Sequence, residues 1–142
     1  MKKLLAMVMA VAMTLSLAAC GKQGSDDTTK ADFKVGAIYI NSKNDTAGYT
    51  YAHHNGITKA MEELGLDPDS QLVIVDEVND KDYDGIASAV DTLVAADCNI
   101  IFGISFGYMQ AMADKAQEYP DVIFSHATGY MSNDTNFNNY FG

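Results

Sequence analysis

Between residues 34 and 124 the chain alternates short apolar runs with segments whose apolar side chains return every third or fourth residue, and this alternation constrains the fold more than any other feature. Lys34 to Ile40 is the first run, rich in β-branched and aromatic residues; Leu72-Val73-Ile74-Val75, Asn99 to Ile104 and Val122-Ile123-Phe124 follow. Runs this uniformly apolar read as strands covered on both faces. Ile57, Ala60, Met61 and Leu64 mark one face of a helix that Gly65 can end in the left-handed conformation. Tyr83, Ile86, Ala87, Val90, Leu93 and Val94 repeat that spacing, with Asp80 or Asp82 placed to cap the start. Met109, Met112, Ala113 and Ala116 form a third stripe, stopped before Pro120. Buried strands separated by single helices predict an α/β fold, a doubly wound parallel sheet. In such sheets ligands sit beyond the carboxyl ends of the strands. The loops Asn41 to Thr50, Ser105 to Tyr108 and His126 to Tyr130 therefore hold the candidate site.

With 142 residues, 48% of them hydrophobic and 20% charged, the chain has material for one ordinary domain. Its first 19 residues are a basic start, Met1-Lys2-Lys3, and an apolar stretch from Leu4 to Leu17, shorter than the ~20 residues a spanning helix needs. This is the layout of a cleaved export signal. Leu17-Ala18-Ala19-Cys20 is similar to a bacterial lipobox, which makes Cys20 the expected lipidated N-terminus, anchored to the outer face of the cell membrane. Residues 20–33 hold no apolar cluster to offset the entropy of ordering and are expected to be a flexible tether to a folded part spanning 34–142. Removing residues 1–19 takes away two lysines and no acid, so the net charge moves from −10 to −12. With no clustered positive charge, no nucleic-acid partner is expected.

The motifs admit several chemistries. Gly103-Ile104-Ser105-Phe106-Gly107 matches G-x-S-x-G between a strand and a helix, the setting of a hydrolase nucleophile. His126 ends the next strand, but Asp121 starts that strand and lies about five residues of ~3.3 Å away, so no orienting acid is in place. The other reading is a tight strand-to-helix turn in which Ser105 caps or offers its hydroxyl. His53-His54 diverge by ~100° on a helix and cannot chelate one ion, so one ring is expected packed and one in solvent. Asp80, Asp82 and Asp84 lack the spacing of a calcium loop. Cys98 reads as a packed thiol, and no metal, cofactor or catalytic residue is expected. Asn44 to Tyr51 places an acid, Asp45, and an aromatic, Tyr49, at the mouth of a helix, either as a ligand acceptor beside a stacking face or as a cap and a rim residue.

Together, Val35-Gly36-Ala37-Ile38-Tyr39, Asn44-Asp45-x-x-Gly48-Tyr49-Thr50-Tyr51-Ala52-His53, Ser105-Phe106-Gly107-Tyr108-Met109, Phe124-x-His126-Ala127-Thr128-Gly129-Tyr130 and Asn139-Tyr140-Phe141-Gly142 resemble the basic membrane protein family. These lipoproteins are substrate-binding components of ABC importers related to the purine nucleoside receptors. The resemblance implies a periplasmic-binding-protein type I lobe, a purine nucleoside or nucleobase as ligand and an importer permease as partner. It places Asp45, Tyr49 and Thr50 on the ligand, Tyr49 stacking on the base and Thr50 standing where many relatives have Asn. Ser105 and Phe106 carry over as the cleft-facing loop. Members are about twice as long, and the segment after Gly129, with Asn133, Asn136, Asn138 and Asn139, looks unfinished, so a truncated form lacking its second lobe is expected. The alternatives are a serine hydrolase using Ser105 and a lipoprotein sensor or surface antigen.

Overall fold

A computed structural model describes residues 30–141. The expected export signal, Cys20 and most of the tether lie outside the described residues. Five strands, β1 (Val35–Tyr39), β2 (Leu72–Val75), β3 (Ile100–Ile104), β4 (Ile123–Ala127) and β5 (Phe137–Tyr140), form one sheet in the order β2-β1-β3-β4-β5. Every pairing is parallel, as the apolar runs predict. Between the strands lie α1 (Gly48–Glu63), the one-turn α2 (Pro68–Gln71), α3 (Tyr83–Ala95), a 3₁₀ turn (Phe106–Tyr108) and α4 (Met109–Glu118). No described helix is long and apolar enough to cross a membrane.

The helices end and begin where their chemistry directs. Gly65 takes φ +74°, and the Gly65 and Leu66 N–H groups donate to the carbonyls of Glu62 and Met61, closing α1. Asp82 caps α3 by accepting from the Gly85 N–H at 3.1 Å. Residues 30–33, expected in the tether, are tied to the folded part instead. The buried Gln71 side chain donates to the Lys30 and Phe33 carbonyls at 2.6 and 2.7 Å, and Lys30 Nζ donates to the Leu64 carbonyl at 2.8 Å.

The two faces of the sheet are covered unequally. On one, α3 and α4 bury Ile86, Val90, Leu93, Tyr108, Met112 and Phe124 in a continuous core. On the other, α1 sets Ile57 and Met61 against Val35, Ala37, Tyr39 and Ile104, and Phe102, Ile100 and Tyr140 remain only partly buried. The α1 stripe is therefore half used, with Ala60 and Leu64 exposed. All four residues of β2 are half-buried, because this strand is an edge.

β5 is a strand that apolar periodicity does not announce. The Asn133 side-chain carbonyl accepts from the N–H groups of Thr135, Asn136 and Phe137 at 2.8 to 3.0 Å. The Asn136 amide donates to the carbonyls of Ala116, Tyr119 and Val122. These bonds satisfy N–H groups at the start of β5 and carbonyls at and beyond the end of α4.

Candidate functional site

The chain goes from β1 outward to β2 and returns to β3 on β1's other side, so the loops after β1 and β3 diverge at the carboxyl ends of neighbouring strands. Open parallel sheets bind ligands in the crevice such a switch creates. The residues marked by sequence lie on and beside these two loops, with differing orientation. Tyr49, in the first turn of α1, is 41% exposed, and Phe106, opening the 3₁₀ turn, is 56% exposed. Asp45 is half-buried in the loop before α1, where its N–H donates to the Ser42 carbonyl. It does not cap the helix, since Ala47 occupies that position with no side-chain bond. Lys43 N–H donates to Asp76 Oδ2 at 2.8 Å and ties this loop to the one after β2. Thr50 faces inward, 1% exposed, and its hydroxyl has no hydrogen-bond partner among the described residues.

Ser105 is buried too, and its surroundings separate the two readings of G-x-S-x-G. Its hydroxyl donates to Asp80 Oδ2 at 3.0 Å, while its main-chain carbonyl accepts from His126 Nε2 at 2.7 Å. A nucleophile needs a histidine nitrogen to take its proton. Here the histidine nitrogen carries the proton, because a carbonyl can only accept. Ser105 also has ordinary extended backbone, φ −170°, unlike a strained elbow. The glycines have steric causes: a Cβ at Gly103 would come 2.0 Å from Met112 Sδ, and one at Gly107 would come 2.2 Å from the Asp80 carbonyl oxygen. Asp80 and Asp82 are thus engaged by a serine and a helix start, and no described cluster of three or more His, Cys, Asp or Glu is disposed for a metal ion.

His126 is fully buried, and burial pulls its pKa below the ordinary value against the opposite effect of its bond to Ser105. The ring is neutral, its proton on Nε2 and its Nδ1 unpartnered. A Cβ at Gly129 would lie 2.1 Å from that nitrogen, so only glycine fits where the loop after β4 crosses the ring. One side chain thereby holds the loops after β3 and β4 at a set spacing.

Below Tyr49 a groove of about 590 Å³ runs between α1 and the half-covered sheet, walled by Tyr49, Ala52, His53, Ile57, Phe102 and Tyr140. The Tyr49 and His53 rings meet edge to face at 4.5 Å, and Tyr140 Oη lies 3.2 Å from His53 Nδ1. His54 instead bonds the buried Tyr39 hydroxyl at 3.1 Å. Both histidine rings are half-buried, each against a tyrosine, so neither is the solvent-facing ring expected. Desolvation lowers the His53 pKa. Sequence reasoning missed Phe102 and Tyr140 as groove walls. Strand alternation could have put Phe102 on the Ile104 side, but nothing in the spacing reveals the strand that carries Tyr140.

No protein-family model matches the chain. It is 35% identical over 107 residues to a purine-binding protein of Brucella abortus, covering 71% of this chain and 27% of that one. It is 46% identical over 46 residues to a Haloferax volcanii protein named for glucose binding in an ABC transporter, covering 32% of this chain and 12% of the other. Solved solute-binding proteins of ABC transporter systems share the fold. One from Aeropyrum pernix K1 aligns with TM-score 0.62 at 16% identity, over 77% of this chain and 28% of that one. One from Conexibacter woesei aligns with TM-score 0.57 at 19% identity, over 77% and 35%. The chain thus spans roughly a quarter of the first curated relative's length and about a third of these structures.

Proposed function

We propose that this chain supplies one wall of the solute-binding site of an ABC import system, and that the solute is a purine nucleoside or nucleobase. The observation that carries the reading is Tyr49, a ring left exposed at the strand-order switch four residues beyond an acid not spent on capping. A flat face beside a carboxylate suits a heterocycle with N–H donors; a base on an aromatic ring gains about 1–3 kcal/mol. The similarity to the purine-binding protein of Brucella abortus supports the same ligand class. The acidic chain, net charge −10, disfavours phosphorylated forms. The second wall comes from a further lobe, and Cys20 carries the lipid that holds the protein at the outer membrane face beside its permease.

The test is calorimetric titration of the chain with adenine, adenosine, guanosine and glucose. Binding of a purine, lost in Tyr49→Ala, is the expected result. Heat from glucose alone, or from none of the four, overturns the purine assignment. Mass spectrometry of the exported protein's N-terminus checks the anchor, the expected species being a diacylated Cys20.

A further inference from the structure

We infer that Tyr130, which nothing in the motif reading marks as a contact, is a second ligand-binding aromatic, forming with Phe106 a wall against which the ring of the solute packs; this rests on the purine reading above. Tyr130 is 76% exposed and Phe106 56%, yet their rings lie only 6.4 Å apart, inclined at 49°. Both stand at the carboxyl edge of the sheet, on loops after the paired strands β3 and β4, and β3 in turn pairs with β1, which leads to Tyr49. Tyr49, Phe106 and Tyr130 therefore follow one another along that edge.

Three features show that the pair is held rather than left over. Phe106 directly follows Ser105, whose carbonyl His126 binds at 2.7 Å, and Tyr130 directly follows Gly129, pressed on the other nitrogen of the same ring. The Tyr130 N–H also lies 3.4 Å from Met109 Sδ. Thr128, which starts the loop, has φ +65°, a conformation that a β-branched residue rarely adopts, and is kept there by its N–H donating to the Tyr140 carbonyl at 2.8 Å. Strain of this kind persists where surrounding structure enforces it, and it gathers at ligand clamps. Two large rings kept in water, on two loops that His126 ties together, gain nothing for folding. A flat, uncharged heteroaromatic ring covers them. With Asp45 and Asp80 on the same edge, an anionic ligand does not suit the place.

The experiment titrates the full chain and its Tyr130→Ala, Tyr130→Phe and Tyr49→Ala variants with adenine, adenosine and AMP, with thermal unfolding as the folding control. The expected result is weakening by about five-fold or more in Tyr130→Ala, near-normal affinity in Tyr130→Phe, and poorer binding of AMP than of adenosine. Loss in Tyr49→Ala with Tyr130→Ala unchanged overturns the inference and leaves the purine reading standing. Equal loss in Tyr130→Phe and Tyr130→Ala overturns the stacking role, because the ring is then not what matters. No binding by the parent chain overturns both.

Discussion

The two faces of the sheet are built from the same strands and finished differently. Over the α3/α4 face, Ala111, Ala113 and Ala116 let α4 approach closely, and Met112 fills the space that Gly103 leaves. Over the other face, α1 is the one described helix whose side chains join the core, and Phe102 and Tyr140 wall a groove that no described side chain fills. The larger continuous core lies on the first face, whereas the second face and the carboxyl edge carry exposed rings whose removal is expected to cost the fold little. A sheet face that is only half covered is available for recognition because it contributes least to holding the chain together.

The contrast can be broken most directly in the core. Phe124→Ala, from a ring with no exposure on the α3/α4 face, should cost about 3–5 kcal/mol in urea unfolding. Asn136→Ala strips three carbonyls of their donor and should cost about 1–3 kcal/mol, with loss of amide protection concentrated in β5. Phe102→Ala, on the groove side, should cost less, about 1–2 kcal/mol, since its ring is only partly buried. A cost equal to that of Phe124→Ala would erase the distinction between the faces.

Acid sharpens the comparison. His126 and His53 both have folded pKa values below the unfolded value of about 6.5, so the unfolded chain binds more protons as the pH falls. Their stabilising contribution is complete above that value and is lost as the pH drops through it toward the folded values. The Tm should therefore decline from neutral pH toward pH ~5, and less steeply in His126→Gln. Cys98 is buried, and desolvation lifts its thiol to about 11, so a disulfide-exchange reagent at pH ~8 should label it only as fast as the protein unfolds. Tyr49→Ala, at an exposed position, should move stability by less than about 0.5 kcal/mol while removing purine binding.

Four strands, the three longer helices and the candidate edge were legible because apolar spacing reports burial directly. β5 was not, because Asn133 and Asn136 order it through bonds to the backbone, and an asparagine-rich stretch reads the same whether it staples a strand or floats in water. Spacing also put Ala60 and Leu64 on the buried stripe of α1, but periodicity finds the stripe, not how wide a partner covers it. At the site, the loops were identifiable from strand order alone. The inward turn of Ser105 and the double hold of His126 on two loops depend on neighbours from β4 and the loop after β2, contacts without a sequence signature.

Among the described strands β5 pairs with β4 alone, through four register positions, and carries Tyr140, whose hydroxyl props His53 and whose carbonyl accepts the N–H of Thr128. Edge elements open first when a protein breathes. Detaching this strand would in one event remove a wall of the groove, release the ring behind Tyr49 and relax the loop that presents Tyr130. The proposed recognition surface therefore depends on an edge strand being seated, and any ligand or partner gripping that surface would also be a latch on the end of the sheet.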